Sequence, residues 1–286
     1  MANVAWIGTG LLGSGFVLSL LEKGHAVTVF NRTESKAHAL VAHGAKLAHS
    51  PGEAAHGADR VHLCLSDDDA VQSVLDRLEG HLRPGTPIID HSTVSPGGAR
   101  ARQAHLRERG VPFLSCPVFM APANSRSATG IMLCAGEREL MDEYLPALQA
   151  MTGTVLPYGE DAGVPATLKL VGNALIIGLS GALSDALTVA KQSGVAPTDA
   201  MQLFDHFNIQ NALMGRGKRM AAGDYTPSFE LSMAHKDVRL MIEAAKGLPL
   251  AVMPGLEARM KALMAEGHGA DDLAILARDV IPRKTA

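Results

Sequence analysis

A glycine-spaced turn stands at the start of the chain, between an apolar run and an amphipathic one. Val4–Ile7 reads as a strand, Gly8-Thr9-Gly10-Leu11-Leu12-Gly13 follows it, and apolar residues at helical spacing continue to about Lys23. The order strand, glycine turn, helix is what gives a G-x-G-x-x-G pattern its meaning. Gly8 permits the tight turn, Gly10 lets the backbone approach a pyrophosphate, and Gly13 lets the helix pack closely on the strand. A helix N-terminus offers unpaired amides and the positive end of its dipole to phosphate oxygens. The turn therefore predicts a dinucleotide site built from Gly8, Gly10, Leu11, Leu12 and Gly13.

The residues that follow extend this unit. Ala26–Phe30 reads as a second strand, and Glu34–His43 as a helix ended by Gly44. Val61–Leu65 and Pro87–Asp90 are further strands, with a helix over Asp68–Glu79 between them. Ser95 suits a helix cap, with Pro96 in the first helical position and a stop at Gly110. Ile131–Ala135 and Thr154–Leu156 complete the strands. Alternation of this kind predicts an α/β domain, a doubly wound Rossmann sheet with helices on both faces, over residues 1–160. Beyond Tyr158 the periodicity is helical throughout, so residues 161–286 read as an all-α domain. It opens with a long helix from about Val164 to Ser193, and Pro282 to Ala286 read as a frayed tail.

The end of the second strand bears on which nucleotide is bound. An acid there would hold ribose hydroxyls and repel a 2′-phosphate. The chain has Asn31-Arg32-Thr33 instead. Arg32 suits a forked pair with a phosphate, and Asn31 and Thr33 can add hydrogen bonds, so the expected cofactor is NADP(H).

Bulk properties narrow the partners. The chain has 286 residues and a formal charge of -3, without a dense basic run, which argues against nucleic acid. Cys64, Cys116 and Cys134 lie in apolar runs and read as reduced core residues. No cysteine–histidine spacing suits zinc, so no metal is expected. The N-terminus enters a strand without a cleavage signal, which makes the cytoplasm the expected location.

The long helix carries the clearest chemical signal. Lys169 and Asn173 are one turn apart on one face, in a segment otherwise almost wholly apolar. An ammonium among aliphatic side chains pays a desolvation cost, which also lowers its pKa toward neutrality. Lys169, Asn173, Ser180 and Ser184 form one polar stripe, and the remaining faces are apolar. A bilayer tolerates such a lysine poorly, so no membrane span is expected. A helix buried nearly all round, touching both domains and a second subunit, explains the run better and predicts a homodimer or a higher homo-oligomer. Gly172, Gly178 and Gly181 cost helix propensity and are expected to mark close backbone approaches.

Taken together, these residues resemble the β-hydroxyacid dehydrogenase family, which includes 3-hydroxyisobutyrate dehydrogenase and the glyoxylate and succinic semialdehyde reductases. The glycine turn is one shared block. Asp90-His91-Ser92-Thr93-Val94-Ser95-Pro96 is similar to the family's D-x-S-T-x-x-P substrate motif. Gly159 to Gly163, leading into Lys169 and Asn173, resembles its lysine-helix motif, with Pro165 where the last glycine is usual. Lys236-Asp237 resembles a cofactor-facing K-D pair, and Gly267 to Asp272 resembles the family's terminal motif. One departure is large. After Cys116-Pro117-Val118, where relatives commonly have a serine and two glycines that help hold a substrate acid group, the chain reads Phe119-Met120-Ala121-Pro122-Ala123-Asn124-Ser125-Arg126.

The resemblance implies hydride transfer between a nicotinamide and a carbonyl carbon. It makes Lys169 the catalytic acid and base, and Ser92 and Asn173 substrate-binding residues. Thr93, Leu65, Ser66 and Lys236 are implied at the cofactor, and Arg126 is a candidate for an acidic substrate group. Alternatives are an imine reductase of the related two-domain group, a decarboxylating 6-phosphogluconate dehydrogenase, and a non-enzymatic NADP-binding protein. An imine reductase usually has aspartate or tyrosine at the position of Lys169. The 6-phosphogluconate enzyme usually has histidine at the position of Gly172.

Overall fold

The computed structural model describes residues 1–284 and resolves into two compact units, Met1–Asn173 and Ala174 onward. The first unit is built on nine strands: β1 (Asn3–Ile7), β2 (Ala26–Phe30), β3 (Lys46–Leu47), β4 (Arg60–Leu63), β5 (Ile88–Asp90), β6 (Phe113–Ser115), β7 (Val118–Phe119), β8 (Ile131–Gly136) and β9 (Thr154–Pro157). Their order is β3-β2-β1-β4-β5-β6-β8-β7, with β9 on β8. From β3 to β6 every pairing is parallel; β8 runs antiparallel to β6 and β7. The direction of winding reverses between β1 and β4, which is where a doubly wound sheet opens a crevice at the carboxyl ends of its strands.

Helices cover both faces. On one side α1 (Leu11–Glu22) contributes Phe16, Val17 and Leu20 to a core around Trp6, Val29 and Ile89. After α2 (Glu34–His38) and α3 (Pro51–Ala55), α4 (Asp68–Leu78) and α5 (Pro96–Glu108) close the other side around Val61, Leu63 and Ile88. The Ser95 hydroxyl caps α5 by accepting from the Gly98 amide at 3.1 Å, as its sequence predicts. The helix expected over Glu34–His43 stops at His38 and resumes as a single 3₁₀ turn, Val41–His43.

Two more helices complete the unit. The segment after β7 folds into α6 (Pro122–Ser127), which sits so closely on α1 that a Cβ at Gly15 would lie 2.0 Å from the Ser125 hydroxyl. The chain continues through β8 into α7 (Arg138–Thr152) and β9.

The long helix α8 (Gly163–Gln192) differs from expectation in its exposure. Its first turns pack with the sheet, and the first compact unit runs on to Asn173. Its later apolar side chains are exposed in the single chain, with Ile177 at 70%. The expected all-round burial is therefore absent from one copy of the chain. By length and composition alone α8 is also long and apolar enough to cross a bilayer.

The second unit is helical: the remainder of α8, α9 (Pro197–Gln202), α10 (Ile209–Ala221), α11 (Leu231–Ala244) and α12 (Met253–Ala265). A 3₁₀ turn, Leu273–Ala277, follows them in this unit. Tyr225, Leu231, Leu263 and Ile275 form its core. Asp185, buried on α8, accepts hydrogen bonds from the amides of Ala251, Val252 and Met253 at 2.6, 2.9 and 3.0 Å and so caps α12 from a distant part of the chain. The tail is tied down further than its composition suggests. The Tyr225 hydroxyl donates to the Ile281 carbonyl, and Lys284 donates its amide to Gly223. Thr285 and Ala286, the last of the expected frayed segment, lie outside the described residues.

Candidate active site

A cleft of about 820 Å³ opens at the carboxyl ends of β1, β2, β4 and β5 in the first unit. Gly8, Gly10, Leu11, Leu12 and Gly13 form one wall, and Asn31, Arg32 and Thr33 lie at the end of β2. Leu65, Ser66, Ser92 and Thr93 line the opposite side. The geometry thus gathers most of the residues expected at a dinucleotide.

The three glycines have different reasons to be there. Gly8 has φ +100°, and a Cβ on it would lie 2.2 Å from the Cys64 carbonyl oxygen. At Gly13 a Cβ would lie 2.1 Å from the Gly8 carbonyl oxygen. Packing demands both. Gly10 has ordinary backbone angles and faces open space within 4 Å, so nothing in the polypeptide excludes a side chain there. No side chain caps α1 either, which leaves the helix's first amides directed at the cleft. A backbone that leaves room where the protein needs none, next to uncapped amides, fits a pyrophosphate.

Asn31 has a different part from the one expected. Its Oδ1 accepts from the Thr9 amide at 3.0 Å, and its side-chain amide donates to the Thr33 carbonyl at 2.9 Å. It ties the glycine turn to the end of β2 and has at most one N–H left for a ligand. Arg32 is exposed and shares the cleft rim with Lys36 and Arg77, two cations that motif reading passed over. Arg77 comes from α4 and lies 5.3 Å from the centre of the Phe30 ring. Asp67 and Asp69 line the same cleft, and Asp67 is committed to capping α4 through the Ala70 amide at 2.8 Å.

Ser92 is buried at the end of β5. Its hydroxyl accepts from the Leu65 amide at 2.9 Å, and the Asp90 carboxylate beneath it accepts from the same hydroxyl. Its amide donates to Asp90 Oδ1 at 2.9 Å. Burial raises the Asp90 pKa. Cys64 lines the cleft, but burial pushes its thiol up to about 12, so it stays a thiol and not a nucleophile.

Beneath the cleft lies a buried histidine relay. His91 Nδ1 is 2.9 Å from the Cys116 carbonyl, which can only accept, so Nδ1 carries the proton. His91 Nε2 then accepts from His62 Nδ1 at 2.9 Å, and His62 Nε2 accepts from Arg60 Nε at 3.0 Å. Both rings stack on Trp6, whose indole N–H donates to the Gly8 carbonyl at 3.0 Å. Burial drives His91 down to about 4 and lowers His62 well below its ordinary value, so both are neutral near pH 7. No sequence signal pointed to this relay.

Lys169 and Asn173 lie on the inner stripe of α8. Ala166, earlier on that stripe, and Ala162, just before the helix, pack in the same core as Val94 and Ala99, just beyond Ser92 and Thr93. Lys169 Nζ donates to Asn173 Oδ1 at 3.0 Å and lies 4.2 Å from the centre of the Phe119 ring. Burial alone lowers its pKa; no opposing charge contributes. A Cβ on Gly172 would come within 2.4 Å of the Phe119 ring, so this glycine admits an aromatic side chain and not the expected backbone. Gly181 likewise admits a Val252 methyl, and Gly178 faces open space.

Of the expected residues in the first unit, Lys169, Asn173 and Arg126 do not line this cleft. Arg126 sits on α6, where it is exposed and paired with Glu22 of α1 at 2.9 Å. Lys236 belongs to the second unit, where it is exposed and paired with Asp237 at 3.0 Å.

Comparison with known proteins agrees with this geometry. The family profile for the NAD binding domain of 6-phosphogluconate dehydrogenase matches residues 3–159. That for the NAD-binding region of NADP-dependent 3-hydroxyisobutyrate dehydrogenase matches residues 163–279. Glyoxylate/succinic semialdehyde reductase 1 of Arabidopsis thaliana is 30% identical over 257 residues, covering 87% of this chain and 89% of that protein. The cytokine-like nuclear factor N-PAC of Homo sapiens is 30% identical over 244 residues, or 84% of this chain, and the match spans 44% of the factor's length. An imine reductase from Myxococcus stipitatus, solved with NADP+, superposes with a TM-score of 0.89 at 22% identity, covering 97% of this chain and 99% of that one. At that identity the last likeness speaks for the fold alone.

Proposed function

The chain belongs to the β-hydroxyacid dehydrogenase family of NAD(P)-dependent oxidoreductases, and from that premise we propose that it transfers hydride between NADP(H) and a small carbonyl or hydroxy acid, with Lys169 as general acid and base. The observation that carries this reading is a half-buried ammonium with no carboxylate partner among the described residues, held by Asn173 at 3.0 Å on the α8 face that continues from the core around Val94 and Ala99. An unpaired ammonium in such a place is costly unless it has a negative oxygen to serve.

Bound NADPH would supply the hydride and both electrons for the carbonyl carbon. Lys169 stabilises the growing charge on the oxygen and gives it a proton; in the oxidation direction it takes that proton back. Burial favours this exchange, because it brings an ordinary lysine pKa of about 10.4 toward the working pH. Asn173 orients the ammonium, and Ser92, placed by Leu65 and Asp90, offers its hydroxyl to the substrate when it exchanges its bond to Asp90.

Arg32, with Lys36 and Arg77, favours NADP over NAD, since the end of β2 has no acid to repel a 2′-phosphate. Exposed Leu175, Ile176 and Ile177 on α8 support a homodimer through that helix. A monomeric mass by sedimentation at micromolar concentration would remove the dimer.

A second reading, reduction of an imine, gains from the apolar Phe119 beside Lys169. One screen separates the two: NADPH oxidation with short aldehydes and 2-oxo and 3-oxo acids, against cyclic imines. Turnover of carbonyl compounds without imines supports the first reading. Turnover of imines alone replaces it with the second, and none with any compound while NADPH binds tightly contradicts both.

A further inference from the structure

Phe119 ends β7, where it pairs with Ile131 of β8. Its ring fills a notch on α8 that Gly172 alone leaves open, since a Cβ there would meet the ring at 2.4 Å. The ring is therefore held from both sides, with its centre 4.2 Å from Lys169 Nζ.

An ammonium has three N–H donors. Asn173 Oδ1 takes one at 3.0 Å, and the aromatic face occupies the direction of another. What remains suits a single oxygen. The face of an aromatic ring carries negative electrostatic potential, which attracts the ammonium and repels an anion brought to the same place. A substrate carboxylate would need a second cation in compensation, and the nearest one along this segment, Arg126, is engaged with Glu22 at 2.9 Å.

We propose that Phe119 selects the substrate: its ring reserves the Lys169 ammonium for one uncharged oxygen and turns away an anionic arm, so the preferred class is an uncharged aldehyde or ketone with an apolar substituent. This rests on Lys169 being the proton donor.

The test uses the full chain with NADPH and two aldehydes of equal length, butanal and 4-oxobutanoate. The intact protein is expected to show kcat/KM at least about tenfold higher for butanal. Phe119→Ser removes the ring and is expected to reduce that ratio about tenfold. Phe119→Leu keeps apolar volume without the π face and is expected to move the ratio part of the way. NADPH titration and a thermal melt check that each variant folds; if Phe119→Ser does not, Phe119→Leu decides. An intact protein that prefers 4-oxobutanoate, or variants that lose activity equally on both aldehydes, would overturn the proposal. Lys169→Ala separates the two levels. Full turnover in that variant sinks the proton-donor reading, whereas an inactive Lys169→Ala beside an unmoved ratio sinks the Phe119 assignment alone.

Discussion

The glycine turn after β1 and the segment after β6 both let two parts of the chain come unusually close, by opposite means. In the turn, Gly8 and Gly13 each remove a Cβ that would strike a carbonyl oxygen nearby in the fold, at 2.2 and 2.1 Å. After β6, one partner supplies a large ring and the other, Gly172, makes way for it. The first arrangement packs backbone on backbone around Gly10, which stays bare; the second puts an aromatic cover on a charged side chain. The two also share a floor. His91 donates to the Cys116 carbonyl under the second segment, and its ring stacks on Trp6, which holds Gly8.

The sharpest break of this comparison lies within the turn. Gly13→Ala drives a methyl into backbone and is expected to cost about 3 kcal/mol or more, measured by urea unfolding. Gly10→Ala meets no protein atom, so it should fold normally and lose NADPH affinity instead. Equal stability losses in the two variants would erase the distinction between packing glycines and the ligand glycine.

Acid should loosen both segments together through their shared floor. The His91 pKa is about 4 when folded against about 6.5 unfolded, so the unfolded chain binds the proton first. The stabilisation is whole above the unfolded pKa and is lost as pH falls from about 6.5 toward the folded value. At pH 5 the loss is about 2 kcal/mol from His91, and His62 adds to it in the same direction. Urea midpoints at pH 7 and pH 5 check this; an unchanged midpoint counts against a neutral buried pair.

A comparable but local effect is expected at the mouth of the cleft. Arg32→Ala should weaken NADPH binding by about 10- to 100-fold and NADH little, by fluorescence titration. Equal losses for the two would end the role of Arg32 in reading a 2′-phosphate. Gly172→Ala should have the smallest effect. Helix propensity returns about 1 kcal/mol, and displacing the Phe119 ring costs about 1–3 kcal/mol, so the net change is small. Its signature is a changed ratio of butanal to 4-oxobutanoate turnover with little change in melting temperature.

Legibility in the sequence divides along the same line. The glycine turn could be read because strand, glycine spacing and helix follow one another directly in the chain, although the Cys64 carbonyl that crowds Gly8 is brought there only by the fold; Ser95-Pro96 could be read as a helix start because cap and first turn are adjacent in sequence. The long helix was legible as a helix, but not its exposure, because an apolar surface does not say whether the same chain or another copy covers it. β3, β6 and β7 are two or three residues long, too short for a periodic signal, and are strands only because their neighbours pair with them. Arg126 looked available because Glu22 stands 104 residues earlier in the chain. Phe119 was visible as a departure from the family pattern, yet its contact with Lys169 depends on the sheet and α8 packing together. Lys36, Arg77 and the His62–His91 relay carry no motif, and only the folded unit brings them to the cleft or under it.

The account turns on the ammonium of Lys169, and single-turnover kinetics of Lys169→Ala probe it most directly. Mixed with an accepted substrate, the NADPH-loaded variant should bind NADPH as the intact protein does and oxidise it about 10²–10⁴-fold more slowly. Hydride transfer at the undiminished rate in that variant would contradict the account.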